Sequence, residues 1–375
     1  MRVPAAVLVV LAACGGEQAP VQLATPALPS TPPSADSVAP VASSLSVVDS
    51  GSFDTPRPAV LTFKAVPLPG ASSPAPLDYI AYEPAHARVW VPVGNTGSVD
   101  VYDTASGSFA TVGGFKTAEK EVRGQKRMMG PSSVAIGEGV AYVGNRADGS
   151  VCAVDTAALK LGTCLRLPSP PDGVAYVASV REVWVTTPRD KSVVVFDASK
   201  PHALVSKATI RLDGAPEGYA SDPGRGLFLT NLEDANKTAV IDLATHQPKA
   251  TWNLDCDTKG PRGVAADTDQ GFVFVACTDH MTVLDGAHGG VQVARFDTGG
   301  GVDNIDWLGA KRLLYSAAGA AAKVTVAHID AKGQSTIVAT GASVDGVRNI
   351  VADTNGNAYA ADGANARLLV FAFVP

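Results

Sequence analysis

The sequence predicts an all-β protein, a seven-bladed β-propeller, and three observations carry that prediction. A unit of strand, break, strand, turn and a third strand ending in Asp recurs, as in "VAIGEGVAYVGNRADGSVCAVDTAALKLG", "VAYVASVREVWVTTPRDKSVVVFDASKP", "YASDPGRGLFLTNLEDANKTAVIDLATHQP" and "VAADTDQGFVFVACTDHMTVLDGAHGG". The closing aspartates, Asp103, Asp155, Asp197, Asp242, Asp285 and Asp330, are spaced by 52, 42, 45, 43 and 45 residues, and a period of about 40 to 45 with several short strands marks propeller blades. Counting first strands gives seven units, opening near Asp78, Ser133, Gly173, Gly218, Gly263, Asn304 and Asn349, and the seventh stops after its third strand. Its fourth strand is expected from "VLTFKAVPL", residues 60 to 68, which precedes the first unit. That closes the ring and removes the open edge an unclosed sheet would carry. A β-sandwich of similar strand spacing explains neither the count of seven nor the leftover N-terminal strand.

Taken from the start, "MRVPAAVLVVLAAC" has one cation, Arg2, then a short apolar run and small residues up to Cys14. This reads as an export signal over residues 1–13, too short to span a bilayer. "LAAC" is similar to the lipobox of bacterial lipoproteins, which implies that Cys14 carries lipid and anchors the protein to a membrane. The alternative is an ordinary signal peptide cut near Ala13. Gly15 after Cys14 lacks the aspartate that retains enteric-type lipoproteins in the inner membrane, so the outer membrane is favoured. Residues 14–58 form a Pro, Ser, Ala and Thr-rich tether that cannot bury enough apolar surface to offset its ordering entropy. The propeller is expected over residues 59–375, as a monomer. Within it, "WVPVGN" puts Pro92 inside an interior strand, where a missing ladder donor predicts a bulge or local irregularity. The repeated aspartates read as turn-makers, whose carboxylates accept backbone N–H bonds from the turn that follows.

The units "AYVGNRADGSVCAVDTA" and "LFLTNLEDANKTAVIDLAT" resemble the repeat of the bacterial YVTN-type seven-bladed propellers, over roughly residues 60 to 375. The resemblance implies the fold strongly and function weakly, since that family includes binding proteins and enzyme-associated subunits.

In a propeller the first strand of each blade lines the central channel, so aligning the starts places Leu77, Ser132, Asp172, Glu217, Arg262, Asp303 and Arg348 at one level. Asp78, Ser133, Gly173, Gly218, Gly263, Asn304 and Asn349 follow at the next. In one reading the arginines pair with Asp172, Glu217 and Asp303, with Arg262 the expected partner of Glu217, and the channel is lined by compensated charge. A further reading has the arginines binding an anionic ligand through bidentate contacts, with the acids orienting them. The competing reading makes Glu217, Asp303, Asn304 and Asn349 oxygen ligands for Ca²⁺ or another divalent metal. The lactonase and gluconolactonase propellers hold a metal with such groups, and "PDG" at 171–173 and "PEG" at 216–218 resemble their blade starts. That resemblance implies ester hydrolysis, with the metal polarising the carbonyl. An arginine at the metal's level opposes it.

The first two units are 52 residues apart because of "KTAEKEVRGQKRMMG", residues 116–130. Lys116, Lys120, Arg123, Lys126 and Arg127 make this connection basic. It is expected to run over the channel face, either as a solvated loop or as a lid or docking loop for an anionic ligand or protein partner, with Met128 and Met129 adding adaptable apolar contact. His280 in "CTDHMTV" lies in a hairpin on the same face. Cys152 with Cys164 and Cys256 with Cys277 are expected as local disulfides, the default for an even set of cysteines in an exported chain.

Other classes are set aside. A net charge of −6 lacks the basic excess that nucleic-acid binding requires. There is no GxSxG elbow, no GxxxxGK[ST] loop and no CxxCH haem attachment. A membrane-anchored binding module without a cofactor is the first expectation, and a metal-dependent lactonase-like hydrolase the second.

Overall fold

A computed structural model of the chain describes residues 57–122, 124–257 and 260–373. The leader, Cys14 and the tether as far as residue 56 lie outside the described residues, as does Arg123. Seven antiparallel sheets account for the repeat. Their inner strands are Ala81–Glu83, Pro131–Gly137, Val174–Val177, Pro216–Asp222, Pro261–Asp267, Val302–Leu308 and Ile350–Ala352. Each touches the next, and the last touches the first, so the inner strands form a closed ring around a central channel. The fold is a seven-bladed propeller.

Blade cores are chiefly valine and alanine side chains, with leucine, isoleucine and aromatic residues among them, sandwiched between adjacent sheets. Two fully buried tryptophans satisfy their indole N–H groups on buried glutamates. Trp184, on the second strand of blade 3 (Glu182–Thr187), stacks on Phe228 of blade 4 with ring centroids 4.5 Å apart. Its indole N–H donates to the buried Glu182 carboxylate at 2.9 Å, which meets the requirement that a buried indole find an acceptor. Trp90 donates to Glu83 in the same manner at 2.8 Å.

The ring closes through the N-terminal segment, in two steps rather than one. Phe63–Pro67 pairs antiparallel with Arg367–Phe371 and completes blade 7, as the sequence predicts. Ala59–Leu61, just before it, pairs in parallel with Ser335–Ala342 and adds a fifth strand to blade 6. The segment therefore clamps two adjacent blades.

The aspartates at the strand ends behave as turn-makers. Oδ1 of Asp103 accepts the N–H groups of Ala105 and Ser106 at 3.1 and 2.8 Å. Asp242 does the same for Ala244 and Thr245, and Asp330 for Lys332 and Gln334. The bulge expected at Pro92 is absent. The ladder from Arg88–Val93 to Ser98–Asp103 runs unbroken through the pair Pro92–Val99. On the inner side strand pairing stops at Ala81–Trp90, two residues short of Pro92.

Both expected disulfides form. Cys152–Cys164 joins directly paired residues of the third and fourth strands of blade 2. Cys256–Cys277 ties the segment leaving blade 4 to the end of the second strand of blade 5. Loops of 12 and 21 residues correspond to about 3 kcal/mol each in the chain-entropy model, and such bonds suit an oxidising compartment. No helix among the described residues is long and apolar enough to cross a membrane.

Candidate functional site

β-Bulges at the start of the inner strands build the channel mouth. In blade 4 the register steps from Pro216–Leu232 to Tyr219–Thr230, leaving Glu217 and Gly218 opposite Asn231 alone. Blade 5 repeats this with Arg262 and Gly263, and blade 6 with Asp303 and Asn304. In blade 2 Ser132 is left out between Pro131–Asn145 and Ser133–Gly144. A bulge re-aims a side chain that regular pleating would bury, and here it turns Glu217, Arg262 and Asp303 into the channel. Neighbouring bulges touch closely. A Cβ on Gly218 would lie 2.4 Å from the Arg262 carbonyl oxygen, which requires glycine in "PEG". Asn231 caps the arrangement, its amide donating to the carbonyls of Arg262 and Gly263 at 2.7 and 3.1 Å.

The mouth is a funnel of about 390 Å³. Asp172, Glu217, Arg262, Asp303 and Arg348 all line it, so the structure brings these five ring residues together. The arginines point at carboxylates. Arg348 Nε lies 3.0 Å from Asp303. Arg262 Nη1 is 3.6 Å from Glu217 but closer to Glu233, so Glu217 is not its nearest partner as the sequence suggested. Arg146 bridges Asp78, at 2.7 Å, and Asp172. Sequence reasoning missed Arg146, Glu233 and Arg189. Each lies in a turn between second and third strands, just past the strand end, on the same face as the ring. The signal was there in "GNRADG" and "TNLEDAN", where the residues after the asparagine carry charge.

Five carboxylates in one partly dry space repel. Burial first, then Asp172, Asp303, Glu233 and Asp78, hold the Glu217 carboxyl well above the usual carboxylate range. Burial pushes Asp172 up to about 6 against the pull of Arg146, and raises Asp303 against the pull of Arg348. Below them Tyr79 packs on Tyr219 with centroids 5.5 Å apart, and burial and then the acids above raise its phenol.

The four candidate metal ligands divide between separate places. Glu217 and Asp303 open on the funnel, whereas Asn304 lines a second cavity of about 510 Å³ at the other end of the channel. Asn349 is buried, and its amide donates to Asp78 at 3.2 Å. No three His, Cys, Asp or Glu side chains among the described residues are placed to share an ion. His280 stands outside the funnel, buried at the start of His280–Asp285 with Nδ1 2.6 Å from Asp279.

Within residues 116–130, Ala118–Val122 pairs with Gln125–Met129 as a two-stranded sheet separate from the blade sheets. Lys120, Val122, Arg127 and Met129 line the same funnel as the ring. Lys120 Nζ donates to the Arg146 carbonyl at 2.6 Å and ties the hairpin to blade 2. Lys126 pairs with Glu119 at 3.0 Å, Lys116 reaches Asp148 at 3.9 Å, and Met128 is exposed.

No protein-family model matches the chain, and no curated protein matches it. Solved structures do resemble it. A chain of the hydrazine synthase of Kuenenia stuttgartiensis aligns at TM-score 0.67 and 16% identity, covering 82% of this chain and 99% of that one. A chain of a mitotic checkpoint complex aligns at TM-score 0.67 and 14% identity, covering 90% and 99%. Virginiamycin B lyase from Staphylococcus aureus aligns at TM-score 0.64 and 11% identity, covering 84% and 100%. Likeness at such identities shows the propeller fold alone.

Proposed function

We propose that the protein is an exported binding module, a YVTN-type propeller anchored through lipid on Cys14, that takes an anionic group of a ligand or protein partner at the channel face beneath the hairpin. The observation carrying this reading is that the basic hairpin and the charged ring line one funnel. The loop that departs from the repeat therefore meets the residues that depart from ordinary strand chemistry. A propeller supplies a rigid scaffold, and the inserted element supplies the contacts specific to one partner.

Charge reversal of Lys120, Lys126 and Arg127 to Glu tests the reading, with N-acetylated tetraglutamate as probe. The intact protein should bind the probe, more weakly as salt screens the contact, and the triple variant at least tenfold less. Equal binding of tetraglutamate and tetralysine, or an unchanged affinity in the variant, overturns it. The anchor is tested separately. Cys14→Ser should move the protein from the membrane to the soluble fraction and abolish incorporation of labelled fatty acid, and a variant that still takes up lipid sinks the anchor.

A further inference from the structure

The two ends of the funnel carry opposite charge. Its most buried charged lining groups, the floor, are the carboxylates of Asp78, Asp172, Glu217 and Asp303, which with the more exposed Glu233 meet the three guanidinium groups of Arg146, Arg262 and Arg348. Pairing uses all three cations and leaves negative charge over. Arg146 is shared between two acids and Arg262 between two others. Asp172 Oδ2 is buried with no hydrogen-bond partner. The side chains of Asp78, Asp172, Glu217 and Asp303 are only 10 to 15% exposed.

At the rim the order reverses. Lys120, Arg127 and the exposed Arg189 line the same funnel, and none of them pairs with a carboxylate among the described residues. Lys120 donates to a backbone carbonyl and Arg127 to the Gln125 side chain at 3.0 Å. Burial, and then the nearby Arg189, lowers the Lys120 pKa against the pull of Asp148.

Resting on the reading of this funnel as the binding site, we propose that its ligand is a zwitterion of the amino-acid or short-peptide class, held with its ammonium group on the acidic floor and its carboxylate at the basic rim. An ammonium group has three donors and no acceptor, so it can lie between two neighbouring floor carboxylates and donate to the edges they expose. A carboxylate matches the forked donors of Arg127 and Arg189. A simple anion that sank to the floor would meet the surplus carboxylates, and a simple cation would be repelled at the rim. Pro76, Pro131, Pro171 and Met129 give the wall between the poles an apolar surface suited to the body of a peptide. A cavity of about 390 Å³ lies within the range of small-molecule sites.

Calorimetric titration of the full chain with trialanine, N-acetyl-trialanine and trialanine amide tests this. Free trialanine should bind, and blocking either end should weaken binding at least tenfold. Asp172→Asn should erase the difference between the free and acetylated peptides, with a melting curve confirming that the variant is folded. If the acetylated peptide binds as well as the free one, the floor does not read an ammonium group and the zwitterion assignment falls, while binding of anions at the rim survives. If no tripeptide binds but tetraglutamate does, the same holds. Equal binding of the amide and free peptides overturns the assignment and the anionic rim together.

Discussion

Removing residues 1–67 is expected to abolish the single cooperative melting transition, whereas removing residues 1–62 should lower the melting temperature and leave the transition intact. The difference follows from the two pairings of the N-terminal segment. Truncation to residue 63 deletes the short parallel strand Ala59–Leu61 on blade 6. Its main apolar loss is Leu61, 3% exposed, a burial worth about 1.5 to 3 kcal/mol. Truncation to residue 68 also deletes Phe63–Pro67, and Arg367–Phe371 becomes an unpaired edge. Leu369 and Phe371, both fully buried, would then sit beside open backbone groups, and Phe371 would lose its ring contact with Phe63. A ring is cooperative because each blade packs on two neighbours, so opening blade 7 also weakens blades 6 and 1. Such an edge also recruits other chains. Calorimetry with size-exclusion chromatography should show a broad or absent transition and oligomers for the longer truncation. A peptide of residues 57–68 added in trans should restore part of the transition. A melting temperature within about 2 °C of the full chain, on a size domain where 1 kcal/mol shifts it by roughly that much, would show that the strand does not close the ring.

That segment also shows where sequence reading reaches its limit. "VLTFKAVPL", residues 60 to 68, announced one strand by its composition, and the incomplete seventh unit announced where it was needed. Val60 and Leu61, read as the start of that strand, belong instead with Ala59 to a separate parallel strand on blade 6, where Leu61 packs against the backbone of Gly341. The channel level of Asp172, Glu217, Arg262, Asp303 and Arg348 was legible because the repeat sets a common origin for every blade. The bulges at Glu217, Arg262 and Asp303 were not, since a register shift has no residue signature beyond the glycines that follow two of them. Partner choice was illegible for a related reason. Glu233, the nearer partner of Arg262, is 16 residues from Glu217 in sequence and reaches the same place only because strands two and three turn back on the ring's face.

Melting temperature is expected to fall as pH rises from about 5 to 8 and to fall again below about 4, with Glu217→Gln flattening only the upper limb. The two limbs come from carboxylates shifted in opposite directions. In the unfolded chain Asp and Glu titrate near 4. In the funnel Asp172 is pushed up to about 6 by burial, and burial also raises Glu217 and Asp303. The folded state thus binds more protons than the unfolded state between about 4 and 6 and beyond, so unfolding free energy decreases as pH rises through that window. The turn aspartates do the reverse. Backbone N–H donors lower Asp103, Asp155, Asp197, Asp242 and Asp330 below their usual values. Their contribution is complete above the unfolded value near 4 and is lost as pH falls through the folded values. Glutamine at position 217 keeps the shape of the carboxyl group and removes its repulsion with Asp172, Asp303, Glu233 and Asp78, while Arg262 retains Glu233. At pH 8 the variant should melt about 2 °C above the parent, corresponding to roughly 1 kcal/mol. The acid limb should stay in place, because position 217 makes no turn. A parent whose melting temperature climbs from pH 5 to 8, or a variant less stable than the parent at pH 8, would mean that Arg262 and its neighbours more than neutralise the floor. The surplus negative charge invoked for the ligand's ammonium end would then be absent.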